Sequence, residues 1–382
     1  MLKCKYNKKG AVSIEKLRVL SLFSGIGAFE KALSRQNIPY ELVNFCEIDK
    51  YAIKSYCAIH NVDKNLNLGD ISKVNYSNIK DIDLIVGGSP CQDFSVSGKQ
   101  NGSIWTCKDC GTEFNPIQQH YSKRTKCIRC GSENLEKTRS SLLVEYLRSI
   151  RELKPKYFVY ENVKNIVGKK FKDVFDLFEK ELNEYGYNTY WKVLNAKNYG
   201  VSQNRERVFV IGIRKDIDSK RFVFPEGFNN GIRLKDILEN VVDEKYYLSD
   251  KMFNYVLDLN EKQKGTKWEG RANNDYINLE IAHTISVRGV IGQRAGVSNI
   301  ISNKEISPIK VVDYKNKLQS KTNNHDLRNL IPLECWRLMG FNDEDFYKAK
   351  AAGISDTQLY KQAGNSIVVN VLEYIFKNLF LK

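Results

Sequence analysis

The sequence predicts an α/β protein, a doubly wound and mostly parallel sheet joined to a smaller β-rich domain. Three observations support this. Through the first half of the chain, short apolar runs of strand type alternate with stretches of helical apolar periodicity. Several of those runs end in Gly, in an acidic residue or in Pro-Cys, the places where open α/β sheets hold their ligands. Beyond about residue 217 the alternation fades into short β-prone pieces set among Asn, Gly, Lys and Ser.

In order, Leu17 to Phe23 reads as a strand, followed by a Gly25-Ile26-Gly27 turn and a helix through about Ser34. Tyr40 to Cys46 is the next strand and ends at Glu47. Ile82 to Val86, Lys156 to Tyr160, Tyr187 to Leu194 and Arg207 to Ile213 complete the strands, with helices at Ser141 to Leu153 and Phe171 to Tyr185. An apolar helical pattern after Ser366 (Ile367, Val368, Val371, Leu372, Ile375, Phe376, Leu379) is placed to pack back on the first domain. The expected domains are a basic tail at 1–16, a catalytic domain at 17–216 with an insertion at about 104–137, a small domain at 217–347 and a returning segment at 348–382.

At 382 residues the chain is long enough for two domains, and 42% hydrophobic with 27% charged residues gives it a core to bury. The net charge of +15 favours a polyanionic partner, although a lysine-rich composition with solvated charges gives the same surplus. No apolar run is long enough to span a bilayer, and Met1 to Lys16 lacks the apolar stretch of a secretory signal. A soluble cytoplasmic protein, not associated with membrane, is therefore expected. Nine cysteines occur, four in two C-x-x-C pairs and five scattered (Cys4, Cys46, Cys57, Cys91, Cys335), a pattern of metal binding and isolated thiols in a reducing compartment.

The chemistry lies at the strand ends. Ser89-Pro90-Cys91-Gln92 closes one strand, Tyr160-Glu161-Asn162-Val163 ends another, and Gln203-Asn204-Arg205-Glu206-Arg207 opens a third. A thiol, a carboxylate and two guanidiniums at sheet edges suit attack on an electron-poor ring such as cytosine. Phe23-Ser24-Gly25-Ile26-Gly27, with Glu47 about twenty residues on, has the glycines and ribose-gripping acid of a nucleotide site. Glu30 occupies the place of the third glycine of a dinucleotide fingerprint, which favours a cofactor without a pyrophosphate. Asp70 in Gly69-Asp70-Ile71 suits an adenine amino group or, equally, an ordinary turn.

Together with Ile331-Pro332-Leu333-Glu334-Cys335-Trp336-Arg337-Leu338-Met339-Gly340-Phe341 and Gly364-Asn365-Ser366, these segments resemble, in order, the DNA cytosine-5 methyltransferases of bacterial and phage type, from about Leu17 to Leu379. The resemblance implies a Rossmann-like fold that binds S-adenosyl-L-methionine and acts on duplex DNA. It implies Cys91 as nucleophile, Glu161 as the acid facing the ring's N3, Arg207 as a contact to the O2 side or to the target nucleotide's phosphate, and Arg205 as support of the loop. Cofactor contacts are implied for Phe23, Gly25, Ile26, Gly27, Glu47, Ile48, Asp70, Ile71, Pro90, Leu142, Asn365 and Ser366. Gln92, Ser97, Arg139 and Thr284 are placed toward DNA. Arg288, Gln293 and Arg294 would read base edges in the recognition region, or contact phosphate or solvent instead. A cognate restriction endonuclease is a candidate partner, and a monomer suffices for chemistry on one base. Methylation of RNA by the same site, or DNA binding by an inactive relative, are the competing readings.

The departure from the family lies at about 104–137. Cys107-x-x-Cys110-Gly111 and Cys127-x-x-Cys130-Gly131 form a near-repeat with the spacing of a four-thiolate structural zinc site, His120 being read as a surface residue. The unit either staples a long insertion without a core of its own or, through Lys108, Lys123, Arg124, Lys126 and Arg129, adds phosphate contacts.

Overall fold

The computed structural model describes residues 4–6, 12–14, 16–90, 94, 102–258, 265, 276–285, 299–302, 305, 307–318 and 326–381. Cys91, Gln92, Ser97, Arg288, Gln293 and Arg294 lie outside the described residues. The chain divides into two compact units. One comprises Met1–Leu194, Glu206–Pro225 and Leu372–Lys382, the other Asn195–Arg205 and Glu226–Val371.

In the first unit, a short antiparallel pair, β1 (Cys4–Tyr6) and β2 (Val12–Ile14), precedes the main sheet. The sheet is built from β3 (Leu17–Leu22), β4 (Tyr40–Cys46), β5 (Leu84–Gly87), β9 (Tyr157–Val163), β10 (Tyr187–Asn195) and β12 (Glu206–Arg214). Between β5 and β9 run three strands of a smaller sheet, β6 (Trp105–Cys107), β7 (Glu113–Phe114) and β8 (Leu135–Lys137), and β11 is Gln203–Asn204. The main order is β10-β12-β9-β5-β3-β4. β4, β3, β5 and β9 are mutually parallel, and β12 runs antiparallel to β9. Parallel strands buried on both faces read as continuous apolar runs, as Leu84–Gly87 does. Helices α1 (Ala28–Arg35), α2 (Lys50–His60), α3 (Leu143–Leu153) and α4 (Lys172–Glu184) connect them. Gly87 is required by close approach, since a Cβ there would meet the Leu22 carbonyl oxygen at 2.6 Å.

The C-terminal helix (Val369–Phe380) joins this unit from Leu372 onward. Phe376 packs on Phe29 of α1, Phe380 meets Tyr157 edge-on, and Glu373 pairs with Arg35 at 3.0 Å. In the second unit, strands of two or three residues pair as β11 with β14 (Ala282–His283), β13 (Tyr276–Ile277) with β16 (Ile309–Lys310), and β15 (Ile300–Ser302) with β17 (Leu327–Asn329). Helices accompany them, including Pro332–Leu338, Asp343–Ala351 and Asp356–Asn365. Arg328 and Glu334, both wholly buried, form a two-point ion pair at 2.9 Å in its interior.

The insertion between β5 and β9 has no separate core. Trp105, Phe114, Ile117, Cys107 and Cys127 belong to the same buried cluster as Ile85, Tyr160, Phe175 and Phe178. Arg124, grouped by sequence with phosphate-binding cations, points inward instead. Its Nη1 donates to Glu181 Oε1 of α4 at 2.8 Å, its Nη2 pairs with Oε2, and its Nε donates to the Pro116 carbonyl at 2.9 Å. Tyr185 donates to the same carboxylate. A guanidinium this enclosed has its charge compensated in place and is not available to DNA. Lys108 and Lys126 remain exposed, within 3.9 Å of Glu136 and 3.5 Å of Glu133. Arg124→Met leaves Glu181 buried without its partner, so it lowers stability by about 3–5 kcal/mol. The urea midpoint measures this, and an unchanged midpoint removes the ion pair from the account of how the insertion docks.

Candidate active site

Parallel strands bring their carboxyl ends to one edge, and the antiparallel β12 brings its amino end to the same edge. Among the described residues, Phe23 to Gly27, Glu47, Glu161 and Arg207 lie at that edge. At the end of β3, Phe23 (φ 53°), Gly25 (φ 56°) and Gly27 (φ 82°) turn the chain into α1. Glu47 holds this turn to the end of β4: its Oε2 accepts from the Gly25 amide at 2.9 Å, and its Oε1 accepts from the Ile48 and Asp49 amides at 2.8 and 2.9 Å. Ile48 is 74% exposed, an apolar side chain open to a flat ligand.

Two residues not singled out in the sequence brace this turn. Asn67 Oδ1 accepts from the Glu47 and Gly69 amides, and its Nδ2 donates to the Glu47 carbonyl. His60 Nε2 donates to the Ile26 carbonyl at 3.0 Å, and a Cβ on residue 27 would lie 2.0 Å from that ring nitrogen. Gly27 is therefore fixed by space as well as by φ. Asp70 caps a turn: its Oδ1 accepts from the Ser72 amide and hydroxyl at the start of the short helix that begins at the buried Ile71. Leu142, half-buried, precedes α3, and Arg139 is exposed.

The segment leading to Cys91 is pinned from β9. Asn162 Nδ2 donates to Tyr160 Oη at 2.7 Å and to the Ser89 carbonyl at 3.3 Å, and the Ser89 and Tyr160 hydroxyls are 2.7 Å apart. All three side chains are buried. Glu161 and Arg207 are brought together by register. Glu161 lies opposite Phe209, so Arg207 is its diagonal neighbour, and Arg207 Nε sits 3.1 Å from Glu161 Oε1.

The boundary between the units falls between Arg205 and Glu206. Arg205, grouped by sequence with the catalytic residues, is 3% exposed and donates to the carbonyls of Ile285, Gly364 and Ser366 at 3.0, 3.1 and 2.8 Å. It works as a scaffold of the second unit. Thr284, also in that unit, donates to the Asn204 carbonyl at 2.6 Å. Asn365 is exposed at the end of its helix.

The four insertion cysteines converge, with sulfurs all within 4.8 Å of one another. Cys107 and Cys130 Sγ are 3.5 Å apart, and Cys110 and Cys127 Sγ 3.6 Å. Disulfides are far shorter, whereas tetrahedral zinc–thiolate geometry sets sulfurs about 3.8 Å apart. Gly111 (φ 69°) and Gly131 (φ 73°) turn each knuckle. Asp109 joins the two knuckles by accepting from Ser132 and from Asn134 at 2.8 Å. Hydrogen bonds from Thr112 lower the Cys110 thiol to about 6. The Ser132 amide favours the Cys130 thiolate, yet sharing the cluster with Cys110 and Cys107 pushes that thiol up to about 12. A donor set of this kind fits zinc.

The description "C-5 cytosine-specific DNA methylase" matches residues 17–106 and 119–381. The chain belongs to this family. It is a DNA cytosine-5 methyltransferase, and the family pattern is interrupted at residues 107–118, within the first half of the insertion. It is 36% identical to the orphan methyltransferase M.SPBetaI of Bacillus phage SPbeta, over 96% of this chain and 98% of that protein. It is 31% identical to the type II methyltransferase M.HhaI of Haemophilus parahaemolyticus, over 95% and 94%. Among solved structures, the Dnmt2 methyltransferase of S. pombe has a TM-score of 0.63 at 19% identity, and the Entamoeba histolytica methyltransferase EhMeth one of 0.65 at 19%; each comparison covers 96% of this chain and 99% of the other. At that identity the likeness concerns the fold, which is the Rossmann-like α/β architecture described above. Among the described residues no helix is long and apolar enough to cross a membrane.

Proposed function

We propose that this methyltransferase acts on a cytosine rotated out of a specific duplex sequence, with Cys91 adding to ring carbon C6. A base stacked in a duplex cannot present C6 to a side chain, so extrusion precedes chemistry. Cys91 forms the S–C6 bond, the C5=C6 electrons move into the ring toward N3, and Glu161 protonates N3. Arg207, whose Nε is 3.1 Å from Glu161 Oε1, then compensates the carboxylate left behind. The Phe23–Gly27 turn with Glu47 and Ile48 would hold S-adenosyl-L-methionine, which would supply an electrophilic methyl group to the activated C5 and leave as S-adenosylhomocysteine. Loss of the C5 proton to water, expulsion of Cys91 as a thiolate and return of the N3 proton to Glu161 restore the aromatic ring. Arg205 acts as a positioning residue through the three carbonyls it holds.

The observation that carries this reading is the buried Ser89–Tyr160–Asn162 network, which ties the Cys91-bearing segment to the strand of Glu161. The other thiols described outside the zinc cluster are held as thiols. Burial pushes Cys46 up to about 12, and raises Cys57 and Cys335. Relatives at 36% identity named as orphan methyltransferases support modification without a nuclease cutting the same site, and a monomer is sufficient.

Bisulfite sequencing of DNA from a host expressing the protein tests the reading. The expected result is 5-methylcytosine at one position of one short sequence. Unmodified DNA alongside newly methylated tRNA would overturn it in favour of RNA as substrate.

A further inference from the structure

Resting on the reading that the Phe23–Gly27 turn holds S-adenosyl-L-methionine, we propose that His60 is a positioning residue of that site. It sets the affinity for the cofactor by locking the Ile26–Gly27 peptide in one orientation, and takes no part in the transfer itself.

That peptide precedes Gly27 (φ 82°). Glycine takes positive and negative φ about equally well, so sterics alone let the plane turn over. Such a flip would reverse the Ile26 carbonyl and the Gly27 amide together. Two hydrogen bonds oppose it. The Gly27 amide donates to the Ser24 carbonyl at 2.9 Å, which closes the turn ahead of α1. The Ile26 carbonyl accepts from His60 Nε2 at 3.0 Å, which ties the peptide to α2. A carbonyl can only accept, so Nε2 carries the proton in this arrangement.

The imidazole is itself held in place. It lies one turn after Tyr56 on α2, with ring centroids 4.9 Å apart. Tyr56 is wholly buried and stacked on Phe45 of β4 at 4.4 Å. On the other side Gly27 leaves the ring its space, since a Cβ there would lie 2.0 Å from Nε2. Any larger residue at 27 would therefore push the ring off the Ile26 carbonyl.

The first half of the turn is held separately. The Ser24 amide donates to the Cys46 carbonyl at 3.1 Å, and the Gly25 amide to Glu47 Oε2 at 2.9 Å. Those acceptors close β4, and α2 follows from its N-cap at Asp49. One stretch of chain, Cys46 to His60, thus grips the turn at two places. Its start supplies a carbonyl and a carboxylate, and its last helical residue supplies an imidazole. Loss of the second grip frees the Ile26–Gly27 peptide while Ser24 and Gly25 stay where they are.

Calorimetric titration with S-adenosylhomocysteine, comparing the parent with His60→Phe, His60→Met and His60→Gln, tests the proposal. Phenylalanine keeps a ring against Tyr56 and loses the donor. Methionine and glutamine are close in size, and only glutamine donates, so this pair decides the matter even where His60→Phe does not fold. Affinity should fall on the order of 10-fold in His60→Phe and His60→Met, the weight of one hydrogen bond lost by a sheltered group. His60→Gln should stay within about three-fold of the parent, because its amide can still reach the carbonyl. In the methylation assay KM for S-adenosyl-L-methionine should rise with the loss of affinity while kcat stays within about two-fold, the signature of binding removed equally from ground and transition states. Hydrogen exchange at the Gly27 amide, measured without ligand, should accelerate in the two variants that lack a donor. His60→Met binding S-adenosylhomocysteine as tightly as the parent overturns the proposal. So does a loss that His60→Gln shares in full, or a fall in kcat in place of the rise in KM. Failure of the cofactor reading is distinct: Glu47→Ala then binds S-adenosylhomocysteine as the parent does, while exchange at Gly27 still reports the hold of His60.

Discussion

Cys91→Ser folds, binds duplex DNA and transfers methyl groups at least on the order of 10⁴-fold more slowly than the parent, the scale on which loss of a covalent nucleophile silences an enzyme. Cytosine C5 lacks the electron density to displace a group from a sulfonium, and only a soft, easily ionised nucleophile at C6 supplies it. A serine hydroxyl is of similar size but stays protonated at neutral pH. Nor does another described thiol outside the insertion offer a substitute: Cys46 is pushed by burial to about 12, Cys57 is raised, and Cys335 is fully buried and also raised. The pins that aim the segment, Ser89, Tyr160 and Asn162, are untouched by the substitution, so binding persists while chemistry stops. The measurement is denaturing electrophoresis with a 5-fluorocytosine duplex. The parent gives a shifted covalent band and Cys91→Ser gives none. A Cys91→Ser protein that methylates at the parent rate ends the covalent account.

What could be read from the chain depended on how local its cause was. Tyr40–Cys46 was legible to the residue because its apolar run is bounded by Pro39 and Glu47. The strand read as ending at Tyr160 continues through Val163, because Arg207 and Val208 on β12 pair with Val163 and Asn162. That pairing is nonlocal and leaves no local mark. The same register creates the Glu161–Arg207 ion pair: both residues were identifiable as candidates, but their contact was not. Arg124 sits in a Lys-Arg-Thr-Lys run that looks solvated, and only the fold brings Glu181, fifty-seven residues away, against it. The convergence of the four cysteines was legible because C-x-x-C spacing suits a shared centre, whereas the continuity of the insertion's core with the main sheet was not. His60 and Asn67 escaped notice because each acts on backbone atoms distant in sequence, and no residue pattern encodes that.

Glu161→Gln is expected to lower single-turnover methylation by about 10²–10⁴-fold, the usual contribution of a positioned general acid. Glutamine keeps the shape and can still donate a hydrogen bond from its amide, but it cannot deliver a proton as charge grows on the ring. The substitution also strips Arg207 of its anionic partner in a mostly buried place, with side chains 17% and 11% exposed. That costs about 1–3 kcal/mol, the scale of a buried polar group left without its partner. Against a domain stability of about 5–15 kcal/mol the variant stays folded, so the rate loss is not an unfolding loss. Arg207→Met separates the two effects. If Arg207 serves mainly to hold the carboxylate left on Glu161 after donation, the double variant should be little slower than Glu161→Gln alone, because the second removal takes away a function already gone. Single-turnover rates and thermal midpoints of the three proteins make the comparison. A rate loss in Glu161→Gln no larger than its loss of folded protein would remove Glu161 from the chemistry and leave it a strut between β9 and β12.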